Sequence, residues 1–156
     1  MIQRLQSVYL LLAFLSGLIM YFFPIAWYYG ELNTLEFFVC RITDHVPSNS
    51  ALFGSKFLLP LSLLNLICTL FSLILIFLYK NLNRQYKLVR LNILLVIIYI
   101  GVIFFFYSDK IGNTVSAPAQ FGFGAFLPLI TLVFLILAMR GINSDIKLLR
   151  SVDRLR

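Results

Sequence analysis

The chain has 156 residues, of which 61% are hydrophobic and only 12% charged, with a mean hydropathy of +0.95. A soluble domain carries about 25% charged residues, so the composition excludes one and describes an integral membrane protein, and four spans leave no room for a separate catalytic domain. The 13 Lys and Arg against 6 Asp and Glu give a net charge of +7, which in a membrane protein reads as the charge asymmetry of topology and not as nucleic-acid binding.

No charge occurs between Arg4 and Glu31, and Leu5 to Tyr29 gives 25 residues, or about 37 Å as a helix. A cleaved signal peptide would have a shorter apolar core ending in small residues, and Leu15-Ser16-Gly17 is followed by Leu18 where a lipoprotein needs Cys. The segment is therefore expected to persist as a first span. The second run, Phe57 to Tyr79, is bounded by Lys56 and Lys80. The third, Leu91 to Ser108, lies between Arg90 and Asp109 and is 18 residues long, near the lower limit for a span. In the fourth, Gly112 to Gln120 reads as a loop, and Phe121 to Met139 forms the apolar core before Arg140. The expected fold is an all-α membrane protein, one domain with four transmembrane helices over about 5–29, 57–79, 91–108 and 121–139.

In the loop 30–56, Thr34 to Ile42 is rich in aromatic and β-branched residues and predicts a short strand or β-hairpin. Pro47 to Ser50 is a turn signal. Ten of the 13 basic residues fall at the N-terminus, in the connection from Lys80 to Arg90, and in the tail. Arg41, Lys56 and Lys110 share the other side with Glu31, Glu36, Asp44 and Asp109. Both termini are therefore expected to be cytoplasmic and the loop 30–56 periplasmic.

No acid or base sits in the middle of a span, where it would mark a proton path or substrate site. His45 is the only histidine, too few for a haem axial pair, and is the only imidazole able to serve a serine nucleophile. Cys40 in a loop and Cys68 in a span do not make a redox relay. No catalytic, cofactor-binding or metal site is expected, and the chain is not expected to be an enzyme. The second span does carry a pattern: Ser62, Asn65, Thr69 and Ser72, at spacings of 3, 4 and 3, fall on one helix face. Such a stripe reads first as helix packing and second as a polar ligand groove. Ala13, Ser16, Gly17 and Met20 form a matching patch on the first span, and the two faces are expected to meet or to line one seam. Pro60 lies in a first turn, where its missing N–H costs little. Pro24 and Pro128 kink their helices unless they lie at the true ends. The segment Phe121-Gly-Phe-Gly-Ala-Phe reads as an interfacial aromatic belt with a close glycine contact, or as a site for a quinone or lipid tail.

In the tail, 140–156, Arg140, Lys147, Arg150 and Arg154 fall within an arc of about 80°, opposite Ile142, Ile146, Leu148, Leu149, Val152 and Leu155. This predicts a C-terminal amphipathic helix, started by Asn143 or Ser144. It would lie against anionic headgroups of the cytoplasmic leaflet or bind a protein. Asp145 and Asp153 on its apolar side favour the protein contact.

The start, Met1-Ile-Gln-Arg-Leu-Gln-Ser-Val-Tyr, and the end, Arg140-Gly-Ile-Asn-Ser-Asp-Ile-Lys-Leu-Leu-Arg-Ser-Val-Asp-Arg-Leu-Arg, resemble a family of four-span inner-membrane proteins of Bacteroidota, a domain of unknown function. Phe121 to Ile130 looks like that family's lead-in to the last span. The resemblance implies a Gram-negative inner membrane and supplies no catalytic residues. It makes Gln3, Arg4, Gln6, Asp145, Lys147, Arg150, Asp153 and Arg154 candidates for contacts. The expected role is a non-enzymatic accessory or scaffold subunit of a membrane protein complex, meeting a partner protein or lipid through Arg4, Lys147, Arg150 and Arg154. The alternative is a small carrier for a lipid or quinone, using the seam around Asn65 and the segment near Gly122. An enzyme acting on lipid headgroups would need Glu31, Glu36, Asp44 and His45, whose spacing matches no motif.

Overall fold

The computed structural model describes residues 3–30, 34–45, 53–54 and 56–153. Among the described residues five α-helices, α1 (Gln3–Ile19), α2 (Leu59–Phe77), α3 (Leu82–Gly101), α4 (Ser108–Val115) and α5 (Leu127–Asp153), accompany four short strands. The strands are β1 (Ala26–Tyr29), β2 (Thr34–Phe37), β3 (Ile42–Asp44) and β4 (Ala119–Phe121), antiparallel in the order β3-β2-β1-β4. A 3₁₀ turn, Leu78–Lys80, links α2 to α3, and a π-helical stretch, Val102–Tyr107, carries α3 into α4.

Side-chain pairs fix the helix directions. Gln6 meets Asp145 and Ser16 meets Thr131, so α1 runs antiparallel to α5. Asn65 reaches Gly17, and Gln85 reaches Leu75. The result is an up-down bundle with the sheet over one end and the α2–α3 turn at the other. Two apolar cores follow. One, around Met20, Tyr28, Phe37, Leu61, Tyr99 and Ile103, joins the sheet to the bundle. The other, around Leu10, Cys68, Leu75, Val89, Leu135 and Ile142, fills the opposite half.

Three helices, Leu59–Lys80, Leu82–Val115 and Phe123–Leu149, are long and apolar enough to cross a membrane. Their outward faces are rows of exposed Leu, Ile and Phe, among them Leu63, Ile67, Ile74, Leu94, Ile97, Phe105 and Val133, as a lipid-facing surface requires.

The π stretch has a geometric reason. Tyr99, Ile103, Tyr107 and Ile111 are all buried, yet they are four residues apart, and on an α-helix each such step overshoots a full turn by roughly 40°. The wider π turn absorbs that drift and keeps Tyr107 and Ile111 facing inward, where Tyr107 packs on Phe37 and Phe57.

Several expected boundaries change. The first apolar run is not one helix to Tyr29: α1 ends at Ile19, and Ala26–Tyr29 is a strand. Pro24 between them has no N–H to donate and biases the residue before it to extended backbone. Gly112 to Gln120, expected as a loop, is helical to Val115 and then turns through Ser116, in left-handed conformation, into β4. The predicted hairpin is present as β2–β3 but belongs to a four-stranded sheet. The tail is not a separate amphipathic helix. It continues α5 without a break, so Asn143 and Ser144 are interior helix residues and not caps. Ile142 and Ile146 bury in the bundle instead of lipid. Pro60 and Pro128 lie in the first turns of α2 and α5 and kink neither helix. The turn signal at Pro47 lies outside the described residues.

Candidate functional site

The polar stripe on α2 lies in the bundle interior, with Asn65, Thr69 and Ser72 buried and Ser62 half-buried. Gly17 of α1 faces Thr69 so closely that a Cβ there would lie 2.4 Å from Thr69 Oγ1. Asn65 Nδ2 donates to the Gly17 carbonyl at 3.2 Å, and the Thr69 hydroxyl donates back to the Asn65 carbonyl at 2.8 Å. Ser16 and Thr131 hydroxyls stand 2.6 Å apart between α1 and α5. Ser72 takes a hydrogen bond of 2.8 Å from Asn92 Nδ2 and donates to the Cys68 carbonyl. Ala13 and Met20 are buried in the same region. The small residues thus let backbones approach, and the short polar side chains hydrogen-bond across the contacts. Ser62 donates only to its own helix, at Leu59.

Beside this seam the cavity lined by Gly17, Asn65, Thr69, Tyr99 and Thr131 has a volume of about 10 Å³, about the room of one water. Gly122 and Gly124 are packed on the Pro24 carbonyl, with Gly124 N–H donating to it at 3.0 Å, and a Cβ at Gly124 would lie 2.5 Å from that oxygen. The aromatic–glycine segment is a close backbone contact.

At the opposite end, Gln6 Nε2 donates to the buried Asp145 carboxylate, tying the start of α1 to the end of α5. Gly141 makes room for this, since a Cβ there would lie 3.0 Å from Gln6 Cγ. Lys147 is exposed, next in sequence to the buried Ile146. Arg154, and the side chains of Gln3, Arg4, Arg150 and Asp153, lie outside the described residues. Around this end Lys80, Arg84, Lys87, Arg140 and Lys147 have no carboxylate partner among the described residues.

The sheet carries residues that sequence reading left unassembled. Its outer row across the strands is Thr43, Glu36, Trp27 and Gln120. Trp27 stacks with Tyr29 at 6.3 Å and with His45 at 5.9 Å, and His45 Nε2 lies 3.2 Å from a Glu36 oxygen. Strand alternation puts Trp27 and Tyr29 on one face, a signal that assigning 26–29 to a helix concealed. On the inner face Tyr28 bonds Ser108 at 3.2 Å, and burial raises its hydroxyl pKa. Cys40 is likewise pushed up by burial, with Arg41 drawing it back. Among the described residues no group of three His, Cys, Asp or Glu side chains gathers where a metal could be held.

An antiparallel helical bundle with lipid-facing outer surfaces, interhelical polar contacts and a small sheet at one end is a polytopic helical membrane protein. A family model, Domain of unknown function (DUF4293), matches residues 2–155, so the chain belongs to that family. Neither a curated protein nor a solved structure matches it.

Proposed function

We propose that the chain is a four-span inner-membrane protein, both termini cytoplasmic, that serves as a non-enzymatic accessory or scaffold subunit of a membrane protein complex. The observation that carries this reading is where the polar groups go. Ser16 with Thr131, Asn65 with the Gly17 carbonyl, and Asn92 with Ser72 are hydrogen-bonded between helices, and the Thr69 hydroxyl bonds the Asn65 carbonyl of its own helix, while the cations at the end tied by Gln6 and Asp145 have no acidic partner among the described residues. Such a molecule presents a basic surface on a rigid frame. Counting α1 as a span is supported by its register, since it pairs with α5 from Gln6–Asp145 to Ser16–Thr131. The excess of basic residues at that end supports placing it in the cytoplasm. A lipid or quinone carrier using the seam around Asn65 is the less favoured reading, because the cavity there, about 10 Å³, is far below the roughly 300 Å³ at which ligand pockets begin.

The test is purification of the tagged protein from its own membranes in gentle detergent, beside the variant Lys147→Glu, Arg150→Glu. A membrane protein recovered in stoichiometric amount with the wild type and lost from the variant, at equal insertion, supports the reading. Recovery of the chain alone contradicts it, and equal recovery with the variant removes the tail as the docking surface.

A further inference from the structure

We propose that the cleft between the α2–α3 turn and the end of α5 binds the phosphate headgroup of an anionic phospholipid. The inference rests on the membrane placement above and not on the accessory role, so the two can fail separately. The cleft has a volume of about 410 Å³, and Lys80, Asn81, Leu82, Arg84, Ile146 and Leu149 are among its lining residues. That volume lies within the usual range of small-molecule sites.

Three features define the ligand. The first is charge: Lys80 and Arg84 are exposed, neither has a carboxylate partner among the described residues, and no acidic residue occurs between Asp44 and Asp109. An Arg fork with a Lys point charge suits a phosphate, and basic clefts between helices on the cytoplasmic side suit phospholipid headgroups. The second is the apolar wall. On α5 the buried stripe Leu135, Ala138, Ile142 and Ile146 continues in step to Leu149, yet Leu149 is 54% exposed. The stripe outruns its covering where the cleft opens. A free phosphate has no use for such a wall, whereas the glycerol and first acyl carbons of a lipid do. The third is position. Phe77 and Tyr79, 72% and 54% exposed, end the lipid-facing row of α2 immediately before Lys80, so apolar surface gives way to cations at this cleft as it does at a bilayer interface.

The experiment is native mass spectrometry of the full chain released from nanodiscs of equal parts phosphatidylcholine and phosphatidylglycerol. The wild type is expected to retain one phosphatidylglycerol in preference to phosphatidylcholine. Lys80→Gln with Arg84→Gln should lower that preference roughly thirtyfold, and either single variant about fivefold, as expected for basic residues at an anionic surface. Lys56→Gln, at the sheet end, should leave it unchanged. Because both side chains are exposed, folding is checked by thermal unfolding, and the single variants serve if the double variant is unstable. Equal retention of the two lipids, or unchanged preference in the variants, overturns the proposal. Displacement of the lipid by millimolar inorganic phosphate also overturns it, by showing a site for the free anion.

Discussion

Replacing Gly17 by Ala is the sharpest test of how α1 and α2 are held. Ala is favoured over Gly within a helix by about 1 kcal/mol, so an uncrowded glycine would be improved by the change. Here the new Cβ would meet Thr69 Oγ1 at 2.4 Å, with Thr69 Cβ and Cγ2 both at 3.3 Å. Rotating Thr69 offers little relief, because its hydroxyl is bonded to the Asn65 carbonyl and its methyl already faces the same spot. The helices must separate, which also stretches the 3.2 Å bond from Asn65 to the Gly17 carbonyl. Overpacking costs about 1–3 kcal/mol, and an interhelical hydrogen bond in a membrane is worth about 0.6 kcal/mol. Set against the propensity gain, the net expectation is a destabilisation of about 0.5–2.5 kcal/mol. In a Thr69→Ala background the hydroxyl and methyl are gone, and the same change should become neutral or stabilising. Equilibrium unfolding of the four proteins of this cycle in mixed micelles measures the coupling. Equal effects of Gly17→Ala in both backgrounds would refute the packing argument.

Further outcomes follow from other contacts, read by the same unfolding assay except for the last. Gln6→Leu, which leaves the buried Asp145 side chain without its amide partner, should cost about 1–3 kcal/mol, whereas Asp145→Asn should cost less. The reverse order would contradict the tie. Ser72→Ala removes the acceptor of Asn92 Nδ2, and Asn92 Oδ1 already has no partner, so a loss of about 1–3 kcal/mol is expected. Asn92→Leu removes both amide groups while Ser72 keeps its bond to Cys68, and should be close to neutral. Burial raises the Cys40 thiol pKa and Arg41 offsets part of the rise. Arg41→Gln should therefore raise it further, reduce the thiolate fraction at pH 8 and slow maleimide labelling, a difference that vanishes once the pH exceeds both values.

The sequence carried the spans better than their ends. Charge-free runs mark the apolar thickness of a helix, but Arg84, Lys87 and Arg90 are good helix formers, so α3 begins at Leu82 and not at Leu91. The same rule concealed β1, because Ala26-Trp-Tyr-Tyr has no charge and adjoins an apolar run; Pro24 was the visible stop. β4 pairs with β1 across some ninety residues, and no local pattern announces such a partner. The seam was readable because small polar residues repeat at helical spacing. Asp145 could be placed on the apolar side of the tail from sequence, but its partner Gln6 lies 139 residues away. In the sequence Lys80 and Arg84 are topology signals alone, since their cleft exists only once α5 comes alongside.

The most direct measurement of the accessory role is photo-cross-linking in native membranes from a reactive residue placed at Lys147, on the basic end, with one at Leu63, on the lipid-facing surface, for comparison. A single dominant protein adduct from position 147, absent when Arg150 is reversed to Glu, is the expected result. Lipid adducts alone from both positions would contradict a docking role for that end of the bundle.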